Sequence, residues 1–372
     1  MTRVHILTPG FTSSNGCAFL FPLIVHRRAL AESGITIAFH KSDAELAALT
    51  DCDVLIVDSK YYGPRWLEES SAVLDALARL AERTERLFYF DITDSSGFDH
   101  ARALPLVTGY FKNQLLRDRS HYLRPLVGYR LHADHCHRNH GVEDEDKAVS
   151  EPVSDPALLD KLQLGWNSGL ADYSAQGPGL AALYRKIPSA WLLRYPKGHG
   201  DPGTDRSLDV VCRIGTGYHR ETVAWQRKAI SQKLSKWLST EKLSRRAYLE
   251  EMRRAKIVVS PFGLGEITLR DFEIFMAGAL AVKPSMAHME TWPDLFRDDE
   301  TIVAHDWDLE DLEETIEALL DDSERRLEIA RHAQEVYHRH TVGSHAAALF
   351  VGHFSRILQT GSRRAVTTEE AE

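Results

Sequence analysis

Two glutamates and an arginine accompany a glycine-bearing loop in the second half of the chain. Glu266 lies in the loop, Glu273 follows seven residues later, and Arg270 stands between them. Residues three apart on a helix share a face, so Arg270 and Glu273 would lie on one side. Gly263 and Gly265 leave backbone N–H groups accessible, and a helix start carries a partial positive charge. The stretch therefore predicts a phosphate or diphosphate site with carboxylates beside it.

The elements that position this loop follow from the apolar pattern. The β-branched run at 257–259 predicts a buried strand before the loop. A helix is expected from Thr268, because Asp271 gives the spacing of a capping box. Gly278 predicts the end of that helix, and 279–282 reads as the next strand. A solvated surface ion pair would use the same charged residues. The buried strands on both sides favour the binding site.

With these residues in place, the stretch resembles the nucleotide-binding half of GT-B glycosyltransferases, especially the CgeB-like and family 1 group. In that group a strand leads to a Pro-Phe-Gly-Leu loop, which stands here at 261–264. A helix follows whose glutamate precedes an Ala-x-Gly-x segment, as Glu273 does here. The resemblance implies that Glu273 holds the donor ribose. Such families often separate two glutamates by seven residues, and six separate Glu266 from Glu273. The resemblance covers 206–345 well and the first half in outline.

A second glycine loop opens the same half of the chain. A strand expected at 208–212 leads into Gly215 and Gly217, and a long helix follows. Two glycines between a strand and a helix favour an anion, although a tight turn with exposed arginines would give the same pattern. Arg213 and Arg220 flank the glycines, and guanidinium groups match phosphate oxygens in geometry.

The expected donor-binding residues combine loop glycines, cations and one carboxylate. They are Arg213, Gly215, Gly217, Arg220, Gly263, Gly265, Arg270, Glu273 and Lys283. The cations and helix starts would stabilise the charge of a leaving diphosphate without a metal ion. An Asp-x-Asp spacing occurs at 51–53, but it precedes its strand, so it is not a metal-holding strand end. We expect no metal and no cofactor, with the nucleotide sugar as donor substrate.

The first half of the chain alternates strands and helices. Strands are expected at 4–7, 35–39, 54–57 and 87–90, and helices at 17–33 and 66–84. The second of these helices has an apolar face made of Leu67, Leu74, Leu77 and Leu80. This alternation predicts a parallel sheet covered on both faces, which binds ligands beyond the carboxyl ends of its strands. Three loops qualify: 8–16, 58–65 and 91–98.

Polar residues in these loops are the candidates for the acceptor side. Asn15, Gly16 and Asp91 are expected to contact the acceptor, and Asp94 is a candidate catalytic base. The alternative for the aspartates is a turn, because Asp, Ser and Gly are turn formers. In an inverting enzyme Asp94 would take the acceptor proton. In a retaining enzyme a donor-side carboxylate is the commoner arrangement in the resembled families, so Glu266 is the catalytic candidate there. The two-glutamate pattern favours retention.

A histidine-rich run, HADHCHRNH, lies at 132–140 within the first half. Metal ligation needs such side chains on one side of an element and further ligands elsewhere in the chain. The sequence contains no second Cys/His cluster, so we expect no metal site here. The role of the cluster is left open.

Chain length and net charge limit the classes of protein that remain possible. A chain of 372 residues can form two cored domains, and a net charge of −9 provides no basic field for nucleic acid. The four cysteines are widely spread, which favours a reducing compartment. The sequence contains no apolar run that approaches a membrane span. We expect a cytoplasmic protein, with peripheral membrane contact left open.

The resulting expectation is an α/β protein with two Rossmann-like domains whose parallel sheets face a central cleft. The expected boundaries are an acceptor-side domain at 1–195, a linker at 196–207, a nucleotide-sugar-binding domain at 208–343, a helix at 344–360 that crosses back, and a disordered tail at 361–372. The resemblance implies glycosyl transfer to the hydroxyl of a carbohydrate or glycoconjugate, for example in polysaccharide biosynthesis. A nucleotide-sugar epimerase and a non-catalytic scaffold of the same fold are the alternatives.

Overall fold

The computed structural model describes residues 1–48, 51–63, 65–97, 100–235 and 238–361. The first half contains one six-stranded sheet in which every pair of neighbouring strands is parallel. Its strands stand in the order β2-β1-β3-β4-β5-β7. They are β1 Thr2–Leu7, β2 Ile35–His40, β3 Val54–Asp58, β4 Leu87–Asp91, β5 Gly109–Lys112 and β7 Leu162–Leu164. The two central strands β3 and β4 are buried along their whole length, as expected of a sheet covered on both faces.

The helices of the first half cover this sheet. They are α1 Ser14–Val25, α2 Arg27–Glu32, α3 Arg65–Glu68, α4 Ser70–Ala81, α5 Leu131–His140 and α6 Gly177–Lys186. Both predicted long helices are wrong in their extent. The first is interrupted at His26, and the second at Glu69, which has non-helical dihedral angles. The second interruption places Trp66 inside and leaves Leu67 87% exposed, so Leu67 does not belong to the apolar face.

The second half contains a four-stranded parallel sheet in the order β12-β10-β9-β8. Its strands are β8 Leu208–Val211, β9 Ala255–Val259, β10 Leu280–Pro284 and β12 Val303–His305. The helices are α7 Glu221–Leu234, α8 Arg245–Arg254, α9 Leu269–Ala277, α10 Leu312–Asp321 and α11 Ser323–Thr341. The predicted fold class, two Rossmann-like domains with parallel sheets, is confirmed.

Helix α9, which follows the loop that contains Gly263 and Gly265, begins and ends at the predicted residues. Thr268 is its N-cap, and the Thr268 backbone N–H donates to Asp271 Oδ2 at 2.8 Å. Gly278 ends the helix with φ of 70°, a left-handed conformation that favours glycine. The capping box and the glycine stop are therefore confirmed.

The chain crosses between the two halves at several places. Helix α12 Gly343–Leu358 returns to the first half, where the Phe350 and Phe354 rings meet Trp166 edge-on. Two short strands, β6 Leu115–Leu116 and β11 Met289–Glu290, pair antiparallel and join the halves directly. The expected domain boundaries stay a prediction, and the expected tail lies outside the described residues from position 362 onward.

Candidate functional site

The loop after β9 meets the first half of the chain at Gly265. A Cβ atom added there would stand 2.4 Å from the Asp94 carbonyl oxygen and 2.9 Å from Gln114 Nε2. Gln114 donates to that same carbonyl at 3.4 Å and accepts from the Ile267 N–H at 3.3 Å. Only glycine fits this approach. The structure therefore brings the loops of both catalytic candidates, Glu266 and Asp94, together.

Glu266 is fully buried between one histidine from each half. Its Oε1 lies 3.5 Å from His132 Nδ1 on α5 and 3.5 Å from His288 Nε2. Burial alone would raise the pKa of Glu266, but the hydrogen bonds and charges of the two histidines hold that pKa well below its usual value. Its second oxygen, Oε2, is buried and has no hydrogen-bond partner in the described part of the chain. Glu266 is thus an ionised carboxylate with free accepting capacity.

Asp94 and Asn15 lie together on the first-half side of this contact. Asn15 Nδ2 donates to Asp94 Oδ1 at 3.0 Å and to the Ile92 carbonyl at 2.8 Å. Gly16 closes the loop at the start of α1, where its N–H donates to Ser13 Oγ at 3.1 Å. The loops after β1 and β4 therefore meet at one edge of the sheet, as predicted. The acceptor-side roles of Asn15 and Gly16 stay predictions.

Asp91 has a different environment from Asp94. Its Oδ2 accepts from Lys112 Nζ at 2.5 Å and from Tyr110 Oη at 3.0 Å, and Oδ1 accepts twice from Thr93. Burial alone would raise the pKa of Asp91, but the Lys112 charge keeps it below its ordinary value. Both carboxylate oxygens are satisfied inside the first domain, so the predicted acceptor contact of Asp91 stays a prediction that this arrangement does not favour.

A cationic cavity of about 340 Å³ lies beside the two glycines of the 213–220 loop. Its lining includes Gly215, Gly217 and four cationic side chains: Arg213, Arg227, Lys242 and Arg270. The lining contains no aspartate or glutamate. Four positive side chains around backbone glycines make this the best anion site among the described cavities.

The cations of this cavity differ in their partners. Arg213 forms a two-pronged pair with Glu251 at 2.7 and 2.6 Å, which offsets its charge. Arg227 donates to the carbonyls of Gly215 and Phe262 at 2.7 and 2.6 Å. Arg270 donates to Tyr248 Oη at 3.2 Å and to the Arg213 carbonyl. Arg227 and Arg270 therefore keep their full positive charge, because no carboxylate in the described part of the chain forms an ion pair with either.

Two predicted donor-binding cations lie elsewhere. Arg220 pairs with Asp146 at 3.0 Å, donates to the Gly128 carbonyl and covers the Tyr129 ring, so it joins the two halves. Lys283 has no exposed surface and pairs with Asp271 at 3.1 Å. Neither lines the cationic cavity, and their predicted contacts with the donor stay predictions.

Arg227 and Lys242 line the cationic cavity but were not predicted from the sequence. Arg227 lies two turns after Arg220 on α7, among buried positions such as Val223 and Ile230. A buried arginine on an apolar helix face needs hydrogen-bond partners. The position of Arg227 among apolar residues is therefore the feature that could have identified it. Lys242 carried no such signal. Its Cε would lie 2.5 Å from a Cβ added at Gly215, so the glycine leaves room for the lysine.

Glu273 faces a cavity between the two halves. It is 7% exposed and accepts from Arg245 Nη1 at 2.9 Å. Burial raises the pKa of Glu273, and the Arg245 charge works in the opposite direction. The cavity, about 360 Å³, also includes Thr12 and Ser13 from the loop after β1. Gly263 lies beside the cationic cavity, since a Cβ added there would stand 3.7 Å from Oη of Tyr218, which lines that cavity.

The histidine cluster is divided between two sites. His132 faces Glu266, whereas His135 and His140 face Asp308 of the second half. Within the described ranges, these last three side chains form the group with spacing suited to a metal ion. None of the described helices is long and apolar enough to cross a membrane.

Comparisons with known proteins give one family match. Residues 203–351 match the glycosyl transferase-like family. A search of curated protein sequences found no significant match.

Three solved structures illustrate the wider likeness. The Anabaena protein Alr3699/HepE in complex with UDP-glucose is 11% identical, with 96% of this chain and 100% of that chain covered and a TM-score of 0.43. A glycosyltransferase from Rickettsia africae ESF-5 is 8% identical, with 96% and 98% covered and a TM-score of 0.45. A putative UDP-N-acetylglucosamine 2-epimerase from Listeria monocytogenes is 9% identical, with 97% of each chain covered and a TM-score of 0.42. At these identities and TM-scores the likenesses carry no argument about function.

The family match covers the half of the chain that contains the cationic cavity, Glu266 and Glu273. It agrees with the two parallel sheets and with the resemblance identified from the glycine-loop stretch. Residues 203–351 are therefore similar to the glycosyl transferase-like family, and the two parallel sheets agree with the fold that this similarity predicts.

Proposed function

We propose that this protein transfers a sugar from a nucleotide-diphosphate sugar to the hydroxyl of a carbohydrate or glycoconjugate acceptor. The observation that carries the proposal is the acid-free cationic cavity beside Gly215 and Gly217. A diphosphate is negatively charged and matches the cations of this cavity, of which only Arg213 is already paired with a carboxylate among the described residues. The glycine backbone lets its phosphates approach closely. The family match of residues 203–351 supports the same assignment.

The chemistry needs no divalent cation under this proposal. The leaving diphosphate gains negative charge as the glycosidic bond breaks, and Arg227, Lys242 and Arg270 are in position to stabilise that charge. Opposite charges 4 Å apart interact by about 4 kcal/mol at an effective dielectric constant of 20. Several cations together can therefore replace the metal ion that other transferases use.

We assign Glu273 to the donor ribose and Glu266 to the reacting sugar. Glu273 borders the cavity between the halves, and its carboxylate interacts with Tyr248 and Arg270, which line the cationic cavity. Glu266 is ionised and keeps a free oxygen, which suits a group that stabilises positive charge at the sugar carbon. This donor-side assignment favours retention of configuration, whereas an inverting reaction would use Asp94 as base.

A donor screen tests the proposal most directly. A nucleotide-diphosphate sugar that binds the folded state should raise the unfolding midpoint, and the matching nucleoside monophosphate should raise it less. Transfer to an acceptor should then release the nucleoside diphosphate. Isomerisation of the donor without any acceptor would instead support the epimerase alternative, and binding without turnover would support a scaffold.

Lys242→Ala tests the cationic cavity itself. Loss of one exposed charged contact should raise the dissociation constant for the nucleoside diphosphate by about five- to tenfold. Lys228→Ala is the matched control, because Lys228 is exposed on α7 and pairs with Glu221 away from the cavity. Equal affinity in both variants would remove the cavity from the donor site. Turnover at saturating donor should survive excess chelator, and recovery only with Mg²⁺ or Mn²⁺ would contradict the metal-independent step.

A further inference from the structure

Two histidines of helix α5 converge on one aspartate from the other half of the chain. His135 Nε2 lies 2.9 Å from Asp308 Oδ1, and His140 Nε2 lies 2.7 Å from the same oxygen. All three side chains are partly exposed, so solvent can reach them. Two imidazole nitrogens thus face the same carboxylate oxygen.

The spacing of these atoms suits a tetrahedral metal ion. The three candidate ligand atoms lie within 4.8 Å of one another. Zinc binds histidine nitrogen and carboxylate oxygen at about 2.0–2.2 Å, so two ligand atoms on one tetrahedral ion stand roughly 3.3 Å apart. The observed N–O distances of 2.7 and 2.9 Å need only a small side-chain rotation to reach this separation.

The surroundings already orient both rings. Asn139 Nδ2 lies 3.1 Å from His135 Nδ1 and 3.3 Å from His135 Nε2, so the amide packs against the ring. His140 stacks on Trp225 with ring centroids 3.9 Å apart, and Trp307 meets His135 edge-on. The rings are thus held in place before any ion binds.

We propose that His135, His140 and Asp308 bind a transition-metal ion of the zinc class, with solvent in the remaining position. Two imidazoles and a carboxylate select zinc, nickel or cobalt over magnesium and calcium, which prefer all-oxygen sites. Since the histidines and Asp308 belong to different halves of the chain, the ion links them. The site does not share ligands with the cationic cavity, so it acts on domain association and not on the diphosphate.

Metal binding to the chelator-treated full chain tests this inference. Zn²⁺ should bind one equivalent with a dissociation constant in the micromolar range or below, and should raise the unfolding midpoint by several degrees. Mg²⁺ at the same concentration should leave the midpoint unchanged. Co²⁺ should give the visible ligand-field absorption of a tetrahedral site with nitrogen and oxygen ligands.

Variants identify the ligands. His140→Ala and Asp308→Asn should each weaken Zn²⁺ binding at least tenfold and remove the Co²⁺ spectrum. His137→Ala is the matched control from the same histidine-rich helix, because its Nδ1 is bound to the Val142 carbonyl instead. Binding that persists in the His140→Ala/Asp308→Asn double variant would overturn the assignment, as would an equal loss in His137→Ala. Because binding to the wild-type chain is measured directly, absence of Zn²⁺ binding there overturns the proposal even if a variant fails to fold.

Discussion

Two buried carboxylates, one in each half of the chain, show how differently such groups can be used. Asp91 of the first domain has an ammonium at 2.5 Å and hydrogen bonds to Tyr110 and Thr93. Glu266 of the second half has only two histidines at 3.5 Å, and its Oε2 has no partner among the described residues. A satisfied carboxylate holds structure together, whereas an incompletely satisfied one retains capacity for a ligand. Asp91 therefore stabilises the first domain, whereas Glu266 keeps an oxygen free for the catalytic role that we propose for it.

Asp58 extends this comparison to a carboxylate that has hydrogen bonds but forms no ion pair with any of the described residues. It accepts from Thr8 Oγ1 at 2.7 Å and from the Lys60 N–H at 2.9 Å, and it is fully buried. Burial, which these bonds only partly offset, raises the pKa of Asp58 to about 6. Neighbouring strand ends of one sheet therefore hold aspartates whose pKa values shift in opposite directions, depending on whether a cation lies beside them.

The largest effect is expected from breaking the Asp91 pair. Lys112→Met removes the ammonium and leaves the carboxylate charge buried, which should lower the free energy of unfolding by about 3–5 kcal/mol. Denaturant unfolding measures this change. Adding Asp91→Asn should restore part of the loss, because the double variant buries no unpaired charge. A single variant as stable as the wild type would contradict the structural role of the pair.

Asp58 should make stability depend on pH. Because its folded-state pKa of about 6 exceeds the ordinary value of 3.8, the folded state binds the proton more tightly. This contribution is fully present below pH 3.8 and is lost as pH rises through about 6. The stability of the wild type relative to Asp58→Asn should therefore fall by up to about 3 kcal/mol across this window. Parallel unfolding curves at each pH measure it, and a constant difference would argue against the raised pKa.

Glu266→Gln should remove the catalytic contribution that we propose for this carboxylate. We expect turnover to fall by about a hundredfold or more, roughly 2.7 kcal/mol, with little change in nucleotide affinity. The reason is that the lost charge matters mainly in the transition state. Asp94→Asn is the matched control on the facing loop and should be much milder. An inactive Asp94→Asn beside an active Glu266→Gln would replace retention with an inverting mechanism.

Glu273→Ala should produce a smaller effect, on binding. Loss of a charged hydrogen bond to the ribose should raise the donor dissociation constant by roughly tenfold, or about 1.4 kcal/mol. Titration calorimetry with the nucleotide sugar measures the change. Because Arg245 would lose its partner, Arg245→Ala separates the two effects. Unchanged nucleotide affinity in Glu273→Ala would remove the ribose assignment.

Features that depend on neighbouring residues could be predicted from the chain. Thr268, Asp271 and Gly278 lie within one short helix, and their capping roles follow from local hydrogen bonding and from a left-handed stop. The order of strands and glycine loops was also readable, because burial on both faces of a parallel sheet leaves a continuous apolar pattern. The alternation of these units was enough to predict the fold class.

The interruptions within helices could not be predicted from the sequence pattern. The apolar spacing at 66–84 matched one long helix, but the chain turns at Glu69 and buries Trp66 in place of Leu67. Periodicity alone does not distinguish one helix from two that use different faces, because tertiary packing decides which apolar side chain is covered. The same limit explains the interruption at His26.

The sequence by itself determined the two-domain fold, the glycine loops and the residue types suited to a diphosphate. Only the tertiary structure decided which charges remain available there. Arg220 is paired with Asp146 and Lys283 with Asp271, while Arg227 enters the cationic cavity. Asp308 likewise meets His140 across 168 positions of sequence. Backbone capping is decided within a few residues, but the partner of a long charged side chain depends on which distant loops the folded domains bring within about 3–4 Å.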